Sequence, residues 1–61
     1  MKKYMVINDR PLTPEEFLVW AEFPSWVEAK DDVDAARKVD QRLEYVRNEA
    51  ARRLKIVSVA A

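Results

Sequence analysis

The sequence predicts a small, mainly α-helical domain, with an α+β fold as the alternative. Two helix-start signals follow each other along the chain, one at residues 13–16 and one at residues 25–28. Pro24 separates them and predicts a corner. No Gly or Pro interrupts residues 25–54, which favours a long second helix. The 61 residues contain no linker-like segment, so we expect a single domain over residues 1–61.

The N-terminal segment predicts a short strand. Residues 3–7 form an apolar run that contains Tyr4, Val6 and Ile7 and is bounded by Asn8 and Asp9. Both faces of this strand are apolar, and we therefore expect other parts of the protein to cover both sides.

The first helix is predicted from Pro14 to Glu22. Thr13 is a suitable N-cap, Pro14 suits the first helical position, and Glu16 can close a capping box. The helix should stop before Pro24, because the proline ring disfavours helical backbone geometry at the preceding residue. Its apolar residues at helical spacing are Phe17, Leu18, Trp20 and Ala21.

The second helix is predicted from Ser25 to Leu54, with Ser25 as its cap and Glu28 as its third residue. An alternative is a boundary at Asp31 or Asp32, because Asp is a better cap than interior residue. The segment Ile56–Val59 is either a strand or the end of this helix. The apolar residues at steps of three and four are Ala29, Val33, Ala36, Val39, Leu43, Val46, Ala50, Leu54 and Val57.

The composition excludes most enzyme chemistry. The chain has no His, Cys or Gly, and so lacks the residues of common zinc sites, thiol nucleophiles, imidazole bases and phosphate-binding loops. The carboxylates lie mostly at helix starts, where capping explains them. We therefore predict no catalytic residue, no cofactor-binding residue and no metal ligand, and we expect that the protein is not an enzyme.

The charge distribution argues against a nucleic-acid partner. Eleven basic and eleven acidic side chains give a net charge of zero. Residues 9–34 hold two basic and eight acidic side chains, whereas residues 42–55 hold five basic and two acidic ones. This bias matches the dipoles of stable helices. The spacing of Asp34 with Lys38 and of Glu49 with Arg53 also predicts two i,i+4 ion pairs in the second helix. The order strand, helix, helix nevertheless resembles ribbon-helix-helix repressors, and a DNA-binding regulator or antitoxin-like protein is the alternative function.

The preferred function is a protein–protein interaction module, a small adaptor or inhibitor that acts as a homodimer by occupying another protein's surface. We expect a homodimer because a short first helix cannot cover the long apolar stripe of the second. The apolar runs of the sequence, such as Tyr4–Ile7, are too short for a secretory signal or a membrane-spanning helix, so we expect a cytoplasmic protein. The candidate dimer or partner surface comprises Trp20, Phe23, Trp26, Val39, Leu43, Val46, Ala50 and Leu54.

Overall fold

The protein is a small α+β fold made of a two-stranded antiparallel sheet and two helices. A computed structural model describes the backbone of residues 1–60 and the side chains of residues 1–54. The elements follow in the order β1 (Lys2–Met5), α1 (Pro14–Trp20), β2 (Trp26–Ala29) and α2 (Asp32–Ala60). Neither helix, over the residues described, combines the length and apolar character needed to cross a membrane.

A strand forms near the N-terminus as predicted, but it spans Lys2–Met5 and not residues 3–7. The expected cover on both faces is wrong, since Met5 and Ile7 are exposed. The partner of this strand is a second strand that the sequence pattern did not predict. β1 pairs antiparallel with β2, with Tyr4 opposite Val27 and Met5 opposite Trp26. The prediction that a helix begins at Ser25 is therefore wrong. Trp and Val favour strands, and pairing with β1 outweighs the local cap signal.

Helix α1 begins at the predicted capping box. Thr13 Oγ1 accepts from the Glu16 N–H at 3.2 Å, and Glu16 Oε1 accepts from the Thr13 N–H at 2.9 Å. The helix ends at Trp20, two residues before the predicted Glu22. After Trp20 the chain forms a 3₁₀-type turn, in which the Glu22 N–H donates to the carbonyl of Val19 three residues earlier, at 3.1 Å.

Helix α2 begins at Asp32, at the alternative boundary. The Asp31 side chain accepts from the Asp34 N–H at 2.8 Å, which is the geometry of an N-cap. The segment before this boundary is the strand β2 and not a short helix. The helix continues to Ala60, so the backbone of Ile56–Val59 is helical; the side-chain position predicted for Val57 lies outside the described residues.

The core lies between α1 and α2. Val19 of α1 packs against Val46 and Ala50 of α2, and all three are buried. Trp20 and Phe23 are partly buried against the same cluster. The corner after α1 thus fills the core with aromatic rings, as expected for a protein of this size.

Two parts of the predicted apolar pattern are wrong. On α1, Phe17 and Leu18 are exposed and Val19 is the buried residue. On α2, Val33, Ala36 and Leu54 are exposed, and Ala35 is buried. Near its start α2 lies beside β2, and on that part of the helix Ala35 is buried while Val33 and Ala36 are exposed.

The molecule is elongated, with extents of 45 × 16 × 14 Å. Its radius of gyration is 13.4 Å, whereas a compact chain of this length has about 10.5 Å. The 29 residues of α2 account for the long dimension at about 1.5 Å per residue. Ion pairs join Arg10 to Asp40 at 2.8 Å and Glu22 to Arg53 at 3.0 Å, so α1 runs in the same direction as α2.

Candidate protein-binding surfaces

Side chains of α2 form hydrogen bonds with the backbone groups at the outer edge of β2. Lys38 Nζ donates to the carbonyl of Glu28 at 2.7 Å, and the Arg42 guanidinium donates to the carbonyl of Trp26 at 3.1 Å. Asp34 Oδ2 accepts from the Lys30 N–H at 3.2 Å. These edge-capping residues, Asp34, Lys38 and Arg42, are four residues apart and therefore lie on one side of α2.

Electrostatics hold Asp34 in its charged form. Its carboxylate accepts from Arg37 and from the Lys30 N–H, and Lys38 Nζ lies 3.5 Å away. Mainly because of the hydrogen bond from Arg37, the pKa of Asp34 falls to about 2. The carboxylate is thus ionised at neutral pH and binds the backbone and two cations together.

Arg42 ties the Pro24 corner to α2. Its guanidinium donates to the carbonyl of Pro24 at 2.9 Å, in addition to that of Trp26. It also lies 5.0 Å from the centre of the Phe23 ring and 5.5 Å from that of Trp20. Burial lowers the pKa of Arg42. One side chain therefore holds the corner by hydrogen bonds and by cation–π contacts.

The outer edge of β1 has no such partners. The Val6 N–H donates to the carbonyl of Ser25 at 2.8 Å, which continues the ladder between the strands. In an antiparallel ladder alternate residues turn their backbone groups outward, and in β1 these are Lys3 and Met5. Across the residues whose side chains are described, no group hydrogen-bonds the backbone of Lys3 or Met5 at this edge.

The outer face of the sheet carries apolar side chains. Met5 and Trp26 lie opposite each other and are 74% and 38% exposed. The ammonium of Lys3 lies 4.6 Å from the centre of the Trp26 ring. Ile7, just beyond β1, is 86% exposed. The outer face of the sheet is therefore apolar, with Lys3 at its margin, and no other part of the described chain covers it.

The outward side of α1 is also apolar. Phe17 and Leu18 are 59% and 66% exposed, although Val19 anchors the helix to α2. Both the capping box and the buried Val19 fix the position of this short helix. Phe17 and Leu18 are thus presented on a well-positioned element, which reduces the entropy lost on binding.

The structure separates the predicted surface residues into three groups. Leu43, Val46 and Ala50 are buried within the single chain, and Trp20, Phe23 and Val39 are half-buried. Only Trp26 and Leu54 are exposed. The centre of the α2 stripe is thus covered by α1, and the geometric argument for a second copy at Leu43 no longer applies.

Most of the described basic side chains contact groups of the chain itself. The ion pairs and carbonyl contacts described above occupy Arg10, Arg37, Lys38, Arg42 and Arg53, and Arg52 pairs with Glu49 at 2.7 Å. The predicted pairs Asp34–Lys38 and Glu49–Arg53 are confirmed, each at 3.5 Å. Arg10, Arg42 and Arg53 thus join different parts of the chain, whereas Arg37 and Arg52 pair with carboxylates of α2 itself.

Sequence reasoning missed the exposed residues Met5, Ile7, Phe17 and Leu18 and the function of the edge-capping residues. The regular spacing of Asp34, Lys38 and Arg42 was the available signal, but unless β2 is known this spacing indicates only ion pairs within the helix.

A shallow groove of about 220 Å³ lies on α2 alone, beside Tyr45, Asn48, Glu49 and Arg52. Within the described part of the chain, no three acidic side chains converge on one point.

Comparison with protein-family models, with curated proteins and with solved structures finds no match to this chain.

Proposed function

We propose that this protein is a non-enzymatic interaction module, a small homodimeric adaptor or inhibitor that binds another protein. The observation that carries the proposal is the exposed pair Phe17 and Leu18 on α1. The two adjacent side chains supply an aromatic and an aliphatic anchor, the kind of residue that dominates binding energy at the centre of interfaces. A setting in the cytoplasm accords with the cysteine-free composition.

Charge favours protein over nucleic acid as the partner. Six of the arginine and lysine side chains between Arg10 and Arg53 contact carboxylates or carbonyls of the same chain. Using them for phosphates would require breaking contacts that hold α1, β2 and α2 together. The net charge of zero also gives little long-range attraction to a polyanion.

A capture experiment followed by titration tests the proposal. The full chain is immobilised and incubated with lysate of the source organism, with and without nuclease, and the retained protein is identified and purified. Its affinity is then measured for the wild type, for the double variant Phe17→Ser/Leu18→Ser, and for Val33→Ser. Val33 is 79% exposed on α2 and serves as a control for loss of exposed apolar area.

We expect binding of a defined protein that survives nuclease, weakens at least tenfold in the double variant and stays unchanged in Val33→Ser. Equal affinity of the double variant and the wild type would reject the α1 surface. Nanomolar binding to duplex DNA at ~150 mM salt, falling steeply as salt rises, would replace the proposal by the DNA-binding alternative.

A further inference from the structure

The two edges of the sheet differ in a way that identifies an interaction surface. The outward carbonyls of β2 accept from Lys38 and Arg42, and its flanking Lys30 N–H donates to Asp34. An incoming strand would have to displace these side chains. β1 has no corresponding contacts among the described residues, so its outward N–H and C=O groups are available for strand pairing.

We propose that β1 pairs antiparallel with β1 of a second copy, so that a four-stranded sheet forms in the order β2, β1, β1 of the partner, β2 of the partner. The pairing specifies where the homodimer of the proposed function is built, and rests on that function only for its dimeric state. The single chain has a sheet of two strands, and the pairing would make one of four, the commonest size range for sheets.

The sequence of the strand favours self-pairing around a two-fold axis at Met5. In that register the outward backbone groups of Met5 face those of the partner's Met5, and Lys3 faces the partner's Ile7. This is a symmetric, isologous contact that closes after two copies and leaves no growing edge, because α2 covers each β2.

Side chains on the covered face of the sheet also match in this register. Tyr4 lies opposite the partner's Val6, an aromatic and β-branched pair of the kind that stabilises antiparallel sheets. Both residues are half-buried in the single chain, whereas Met5 and Ile7 on the opposite face are exposed. The new strand pair would therefore bring two half-buried side chains of each copy into contact across the axis.

Charge matches as well. In the antiparallel register Lys2 lies opposite the partner's Asn8 and one position from its Asp9, so the basic end of one strand lies near the acidic end of the other. A parallel arrangement would instead place the lysines of both copies side by side. On the outer face, the aliphatic stem of Lys3 would cover the partner's Ile7, which is 86% exposed in the single chain.

Removing one backbone donor tests the pairing. The Met5 N–H points away from β2, so Met5→Pro deletes an outward donor and places a ring on the edge while leaving the ladder to β2 intact. Met5→Thr alters the side chain but keeps the N–H, and is the matched control. Light scattering on a column eluate measures the mass of each from about 1 to 100 µM, and circular dichroism checks that each is folded.

We expect about twice the chain mass of 7.2 kDa for the wild type and Met5→Thr, and the single-chain mass for a folded Met5→Pro. A wild-type mass of one chain throughout the range would overturn the pairing. A Met5→Pro protein that remains dimeric would overturn it too, since the interface would then lie elsewhere.

A disulfide provides a second test that does not depend on proline. The chain has no cysteine, so Met5→Cys introduces a single thiol. Directly opposed residues in hydrogen-bonded antiparallel pairs have Cα atoms about 5.5 Å apart, within the range a disulfide spans. Under mild oxidation Met5→Cys should form a covalent dimer within minutes, whereas Val33→Cys should do so at least tenfold more slowly. Equal rates would contradict the axis at Met5.

These outcomes are separate from those of the proposed function. If the wild type is a single chain but its partner protein still binds through Phe17 and Leu18, the β1 pairing fails and the interaction module stands. If no partner protein is captured while the Met5→Cys dimer forms, the pairing stands and the adaptor function fails.

Discussion

Individual residues show how a cap signal depends on its surroundings. Thr13 and Ser25 both precede a glutamate by three positions, yet only Thr13 forms a capping box. Ser25 instead leads into β2, and the cap of α2 is Asp31. The same local pattern gives a helix in one case and a strand in the other, because β1 pairs with residues 26–29.

Three alanine substitutions separate these caps. Thr13→Ala and Asp31→Ala should each lower the free energy of unfolding by about 1 kcal/mol, because each removes the acceptor of an N-terminal helix N–H. Ser25→Ala should change it by less than ~0.5 kcal/mol, as expected for an exposed site without a capping contact. Urea unfolding measures all three. A loss for Ser25→Ala as large as that for Asp31→Ala would contradict the boundary at Asp32.

The charge of Asp34 should make the protein sensitive to acid. Its pKa falls from 3.8 to about 2 in the folded protein, so folding favours the ionised form. Its contribution to stability is therefore complete above about pH 4 and is lost as pH falls toward 2. Thermal unfolding between pH 2 and 7 should show this decline in the wild type and a shallower one in Asp34→Asn. The exposed-site control Glu44→Gln should keep the wild-type slope, and a wild-type slope in Asp34→Asn would refute the assignment.

At the scale of elements, α2 stabilises the fold by binding the backbone of β2 and the corner before it. A short strand at the edge of a sheet exposes carbonyls that need donors, and Lys38 and Arg42 supply them. Arg42 also contacts the aromatic corner, so it joins three parts of the chain.

Loss of Arg42 should therefore cost more than loss of Lys38. We expect Arg42→Ala to lower the free energy of unfolding by about 2 kcal/mol and Lys38→Ala by about 1 kcal/mol, because charged hydrogen bonds to the backbone are removed. Arg47→Ala, at an exposed position on the same helix, should remain within ~0.5 kcal/mol of the wild type. Denaturant unfolding compares the three. Equal effects of Arg42→Ala and Arg47→Ala would show that the carbonyl contacts contribute nothing.

At the scale of the whole molecule, the protein has a small core and a long exposed helix. A domain of 61 residues has a total stability of only about 3–9 kcal/mol. The few buried side chains between α1 and α2 therefore decide whether the chain folds at all. Leu43 is 2% exposed in the single chain, so we assign it to the core of the single chain and not to a dimer interface.

Leu43→Asp should abolish cooperative unfolding, because it places a charge in this core without a partner. Circular dichroism with temperature and light scattering distinguish this outcome from loss of a dimer contact. A folded, cooperative Leu43→Asp protein with the mass of one chain would restore the interface on α2 that the sequence pattern first indicated.

The sequence by itself determined the elements whose signals are local. The capping box at Thr13, the long second helix and the helix pairs of Asp34 with Lys38 and Glu49 with Arg53 all follow from contacts within a few residues. Such contacts depend on backbone geometry that the nearby residues set themselves. The apolar run at residues 3–7 indicated the N-terminal strand, but not the distant strand with which it pairs.

Only the tertiary structure decided the second strand, and with it the distribution of exposed and buried surface. Whether residues 26–29 form a helix or a strand depends on β1, more than twenty positions away. The pairing leaves one edge of β1 open, while the packing of α1 on α2 buries Val19 and leaves Phe17 and Leu18 exposed. Arg42 of α2 in turn binds the carbonyl of Pro24 at the corner. Local propensity is worth a fraction of a kcal/mol per residue, and the strand ladder and its packing on α2 outweigh it.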